Sequence, residues 1–256
     1  MDSITLTDRI KHSRSLDFGT IFGDAIELFK KTWLQGFVFT LLTMVMAILT
    51  LLIIYIPLFG MISLSDYNDY GYGAYPEIPW VTMMPFFLLF VLAMIFVNTI
   101  IFAMTAGFFK IVRKLDAGEE ASGGDMFMYV KGKYLGKAFV LSLAMIGIEL
   151  LATLLCFLPL LYVMVPVGFF AVVFAFNPEF SSSEIIRISF KLGNKKWLLS
   201  FGLIIIGGLL AEIVGLLLCG IGIFFTASFI YLPLYLIYKE TVGFKETKTS
   251  PGFLEG

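Results

Sequence analysis

The chain has 256 residues, 59% of them hydrophobic and only 14% charged, with 28 phenylalanines and a formal net charge of −1. A soluble domain carries about 25% charged residues, so this composition excludes an ordinary water-soluble fold and puts the chain in the membrane class. The near-neutral net charge says little about partners, because it hides a strong asymmetry along the chain.

Apolar segments long enough to cross ~30 Å of hydrocarbon at ~1.5 Å per residue fall at 34–59, 81–109, 138–157, 159–176, 198–217 and 222–238. They are apolar all round, whereas outer-membrane strands alternate in segments of ~10 residues, so helices are expected. The predicted fold is all-α: six transmembrane helices as three hairpins, in one integral membrane domain over 1–256. More than 30 mostly polar or amphipathic residues precede the first span and no A-x-A-like site follows it, so span 1 is expected to be retained.

In chain order, a tail at 1–17 leads into a first unit at 18–109. Its opening stretch "DFGTIFGDAIELFKKTW" sets Phe18, Ile21, Phe22, Ala25 and Phe29 at helical spacing, with Asp24, Glu27, Lys30 and Lys31 opposite. The loop at 65–80 after span 1 carries only acidic charge. Asp66, Asn68, Gly71 and Glu77 fall at calcium-loop spacing, but Tyr70 takes a ligand place and Pro76 and Pro79 spoil the following helix. The loop reads as surface with an aromatic girdle, and no metal site is expected there.

The second unit spans 110–176 and opens on "GGDMFMYVKGKY", a weaker amphipathic stretch interrupted by Gly132. The third spans 177–238 and opens on "SSSEIIRISFKLGNKKW", where Ser181 and Glu184 form an S-x-x-E capping box. Glu184, Arg187, Lys191, Asn194 and Lys195 line its polar stripe. Such stretches predict amphipathic helices in the membrane interface ahead of each hairpin. A tail at 239–256 closes the chain.

All 18 Lys and Arg fall before residue 35, between 110 and 137, between 187 and 196, or after 238. The 65–80 loop and the turns near Pro159 and Gly220 have none. The positive-inside rule then places both termini in the cytoplasm and predicts a multi-pass protein of the bacterial inner membrane. The basic flanks favour anionic lipid on that leaflet.

A repeat underlies the units. "KGKYLGKAFVLSLAMIGIELLATLLC" (131–156) aligns without gaps over "NKKWLLSFGLIIIGGLLAEIVGLLLC" (194–219), pairing Tyr134 with Trp197, Glu149 with Glu212 and Cys156 with Cys219. A third copy begins at "FKKTWLQGFVF" and has Ile48 at the glutamate place. The stretch "FNPEFSSSEIIRISFKLGNKKW", the glycine-rich span after it and "LCGIGIFFTASFIYLPLYLIY" resemble the second half of a broad family of six-span bacterial inner-membrane proteins of uncharacterised function. Members include the membrane domain that precedes some glycerophosphoryl diester phosphodiesterases. "FGTIFGDAIELFKKTW" is similar to that family's opening helix, so the resemblance covers most of 15–240. It implies a fold and no catalytic residues, and the chain has no phosphodiesterase barrel.

Glu149 and Glu212 are the candidate functional residues, because a carboxylate mid-span costs at least ~2.5 to 3.5 kcal/mol on insertion scales. Gly208, Gly215 and Cys219 share a face with Glu212, and Met145, Ala152 and Cys156 share one with Glu149. These stripes predict that both acids point into the bundle, where Asn98, Thr153, Thr226 and Ser228 are candidate partners. Either the acids are protonated packing devices, or they share a proton or cation as in transporters. The two cysteines are expected to be buried as free small hydrophobes.

The only histidine is His12, which excludes a multi-histidine metal centre, and no nucleophile triad, phosphate loop or dinucleotide fingerprint is present. No enzyme activity and no cofactor are expected. The expected partners are membrane lipids and other membrane proteins, with no nucleic acid. The reading is a scaffold or envelope accessory factor, with a small proton- or cation-coupled transporter or channel-like protein as the alternative.

Overall fold

The structure, a computed structural model, describes residues 2–66, 80–155 and 157–244, the side chains of 61–66 and 80 excepted. Most of the acidic loop, Cys156 and the lysines at 245 and 248 lie outside the described residues. Among the described residues the chain is nearly all helical and has no strand. Six helices are long and apolar enough to cross a membrane: Phe18–Gly60, Val81–Asp116, Lys133–Leu154, Leu158–Phe176, Trp197–Leu217 and Gly222–Thr241.

A short helix comes first, α1 (Ser3–Lys11), capped by the Asp2 side chain accepting from the Thr5 amide, with Leu6 and Ile10 buried. It is followed by α2 (Phe18–Asp66), whose 49 residues form one uninterrupted helix. The sequence separates an amphipathic helix from span 1, and the structure joins them. Leu28 and Phe29 precede Lys30 and Lys31 there, with no breaker, and a helix that long spans roughly 73 Å. Against it packs α3 (Trp80–Asp116), with Phe39 stacked on Phe108. A 3-10 turn at Gly123–Phe127 occupies the place of the second amphipathic helix, closed by a Ser122/Asp125 capping box.

The next pair is α4 (Lys133–Leu154) and α5 (Leu158–Phe176). Thr99 and Ser142 hydroxyls, 2.9 Å apart, join α3 to α4, and the ammonium of Lys137 donates to the carbonyls of Pro178 and Phe180 just beyond α5. Helix α5 sits between α3, α4 and its successor, α6 (Ser182–Lys195), with Val165, Phe169, Phe170 and Phe174 fully buried.

The expected capping box starts α6, with the Glu184 amide donating to the Ser181 hydroxyl and the Ser181 amide to the Glu184 carboxylate. This helix does not lead away from α5 but returns along it. Phe190 packs on Phe170, a β-carbon on Gly193 would come within 2.7 Å of the Pro166 α-carbon, and Tyr162 bonds Asn194. Its apolar stripe is buried by α5 and α1 within the protein. The distribution of Lys and Arg predicts that the turn at Pro159 and this basic connection lie on opposite faces. The packing instead brings Tyr162, one turn into α5, against Asn194 and Trp197.

Last come α7 (Trp197–Leu217), α8 (Gly222–Thr226), a 3-10 turn at Ala227–Ile230 and α9 (Tyr231–Thr241). Helix α7 ends in a Schellman motif: Cys219 is left-handed at φ 54°, and the amides of Cys219 and Gly220 donate to the carbonyls of Leu216 and Gly215. This turn leaves Cys219 exposed, so its expected burial is not observed. The segment 222–231 packs on α2, where Phe225 stacks on Phe37 and Tyr231 meets Phe39 edge-on.

Candidate functional site

The aligned helices α4 and α7 stop at equivalent places, Leu154 and Leu217. Their acids stand in different surroundings. Helix α4 packs on α3, α5 and α6, whereas α7 packs chiefly on α8, the 3-10 turn after it and α9; the two make no substantial interface with each other. Glu149 is half-buried and Glu212 exposed. Ile48, at the same place in the first copy, is 47% exposed. Glu212 and Ile48 therefore face out of the bundle, the reverse of the expectation from the small-residue stripes, while Glu149 is partly enclosed. Those stripes sit one step round the helix: Gly207, Ala211 and Gly215 are the buried face of α7, and Glu212 lies beside it.

Among the described residues neither carboxylate has a hydrogen-bond or ion-pair partner. Thr153 bonds the main-chain carbonyl of Glu149, and Thr226 bonds the carbonyls of Ala211 and Gly222. Asn98 is not brought to an acid either. It is half-buried on α3, with its Oδ1 enclosed and without a partner. Three of the expected partners are thus committed elsewhere or isolated.

The charge-bearing constructions lie instead at the ends of the helices. At the end of α3, the Arg113 guanidinium lies 4.3 Å from the Phe244 ring centroid and the Lys110 ammonium 5.0 Å from that of Phe176. Lys239 and the Tyr235 hydroxyl both donate to Asp116, at 2.7 and 2.8 Å. Beside them Asn177 donates to the Tyr238 hydroxyl at 2.7 Å. Lys114 holds Asp125 at 2.8 Å, and that hydrogen bond, with the Ser122 amide, lowers the Asp125 carboxyl below the usual range. Tyr129, buried and bonded to the carbonyl of Ala175, has its hydroxyl pushed well up by desolvation.

At the start of α7, Lys196 is buried and donates to the carbonyl of Arg14. Desolvation, and then the neighbouring Lys195, lower its ammonium. Next to it, Lys11, Lys191, Lys195, Thr7 and Asn194 line a groove of about 540 Å³ between α1 and α6. An apolar groove of about 230 Å³ separates α2 from α7, lined by Phe22, Phe29, Leu210, Val214 and Phe229 among others. Glu149 and Glu212 line neither groove. The basic groove was not expected from the sequence, which carries one signal for it, the polar stripe of α6, and none that α1 covers it.

Among the described residues no three of His, Cys, Asp and Glu lie together so as to hold a metal ion. No family model, curated protein or solved structure matches the chain. Its class rests on the fold itself: six apolar helices with charge confined almost entirely to their ends define a multi-pass all-α membrane protein.

Proposed function

We propose that this is a bacterial inner-membrane protein with both termini in the cytoplasm and no catalytic activity of its own, a scaffold or envelope accessory factor that associates with other membrane proteins. The observation that carries this reading is Glu212. An acid on the outward face of an apolar span, flanked by the exposed Leu209 and Leu216, is costly against lipid and has no partner among the described residues of its own chain. A neighbouring membrane helix that brings a donor to it removes that cost, since side-chain hydrogen bonds and close packing hold spans together in lipid. The resemblance over 15–240 and the grouping of the basic residues support the inner membrane as its location.

A proton- or cation-coupled transporter using Glu149 and Glu212 needs a space shared by the two acids. Their separate packing speaks against that reading. Three measurements test the proposal. A photo-crosslinker at Leu216 should capture one discrete membrane protein in cells, and Glu212→Leu should abolish the adduct. The same substitution should leave the isolated protein at least as stable in detergent. Proton flux into liposomes should equal that of protein-free vesicles. Flux present in the wild type and lost in a Glu149→Gln/Glu212→Gln variant would establish the transporter instead.

A further inference from the structure

We infer that the groove between α1 and α6 is a binding site for the phosphate of an anionic phospholipid, with Lys11, Lys191 and Lys195 as its cations and Asn194 as a neutral donor. This inference is independent of Glu212 and of the partner proposed for it. Three ammonium groups line one depression of about 540 Å³, and no acidic side chain lines it with them. Lys11 and Lys195 enter no ion pair among the described residues, and Lys191 donates only to the Thr7 hydroxyl, at 3.3 Å. Five other cations of the chain are committed: Lys30, Lys114 and Lys239 to carboxylates, Arg9 and Lys137 to main-chain carbonyls. Like charges gathered without counter-charge repel one another, and an anion between them relieves that repulsion.

Asn194 is oriented for the same task. Its Oδ1 accepts from the Tyr162 hydroxyl at 2.7 Å, which fixes the amide plane and leaves both N–H donors without an acceptor among the described residues. The buried Ile10 gives the groove an apolar floor. The chemistry favours a phosphate oxygen, which takes several N–H donors at once.

A free anion would need only the lysines. The surroundings point to a lipid. Asn194 leads directly to Tyr162 and Trp197, whose indole N–H donates to the Tyr162 carbonyl at 3.0 Å. Tyr and Trp at such a boundary mark the headgroup level of a bilayer. Beyond them the surface is aliphatic and exposed, with Leu158 at 75% and Leu198 at 77%. A phospholipid therefore meets its phosphate site and a chain-covering surface side by side.

The test uses Trp197 as the reporter. The full chain, with Trp33→Phe and Trp80→Phe, is reconstituted into phosphatidylcholine vesicles containing acyl-brominated phosphatidylglycerol or acyl-brominated phosphatidylcholine. Quenching of Trp197 by the anionic lipid should exceed that by the zwitterionic one. Each of Lys191→Gln and Lys195→Gln should reduce the preference about fivefold, as expected for ~1 kcal/mol per lysine at an anionic surface. Lys133→Gln, at the start of α4, should leave it unchanged. These lysines are exposed, so circular dichroism and gel filtration of the variants should match the wild type; if one variant misfolds, Lys11→Gln serves in its place. Equal quenching by the two lipids, or a preference untouched by the groove lysines, would overturn the assignment. Displacement of the anionic lipid by millimolar inorganic phosphate would reassign the groove to a soluble anion.

Discussion

Phe174 in α5 and Phe87 in α3 both lie in long apolar stretches of their helices, yet Phe174 is 0% exposed and Phe87 58%. The same contrast holds for whole helices: 56% of the most apolar stretch of α5 is buried inside the protein, against 11% for α2. In a membrane, apolarity marks contact with lipid as much as contact with core, because lipid tails are as apolar as leucine. What separates the two regions is the specific fit around α5: aromatic pairs such as Phe102–Phe174 and Phe170–Phe190, the backbone approach at Gly193, and carbonyls capped by Lys137. Helices α2 and α3 pack on each other and leave broad faces uncovered.

The sharpest way to break this comparison is to remove the same side chain from both regions. Phe174→Ala should destabilise the protein in detergent by about 3 to 5 kcal/mol, the usual cost of emptying an aromatic core position. Phe87→Ala should change it by less than about 0.5 kcal/mol, as surface substitutions do. Equal effects in thermal unfolding would show that the outer part of α3 is as tightly packed as α5.

A smaller effect of opposite sign is expected from two glycines. A β-carbon on Gly107 would lie 2.2 Å from the main-chain oxygen of Met126, and one on Gly208 would meet nothing within 4 Å. Gly107→Ala should therefore cost about 1 to 3 kcal/mol through overpacking. Gly208→Ala should stabilise by up to about 1 kcal/mol, because alanine loses less backbone freedom in a helix than glycine. Unfolding midpoints that move in the same direction would contradict the packing at the 3-10 turn.

The smallest effect is expected where the two regions join. Thr99 and Ser142 bond between α3 and α4, and Thr99 also donates to the carbonyl of Ile95. Thr99→Val should cost about 0.6 kcal/mol, the average for such bonds between spans. A loss several times larger would make this contact a main determinant of how the outer helices meet the core.

The sequence by itself determined the class and much of the local structure. A composition with so few charges admits only self-satisfied helices in lipid, and the spans follow from runs of apolar residues. The Ser181–Glu184 box was legible because a cap depends on residues three apart. Tertiary structure alone decided which face of each helix meets protein. Glu149 and Glu212 share a place in the aligned segments, but a carboxylate beside a small-residue stripe turns inward or outward according to a rotation of about 100° per residue, and the neighbours fix that rotation. Tertiary structure also decided the return of α6 along α5 and the cover of α1, which gather Lys11, Lys191 and Lys195 from positions 180 residues apart. Local pattern carries the period of a helix. It does not carry the identity of the helix packed against it, and the groove exists only between two helices.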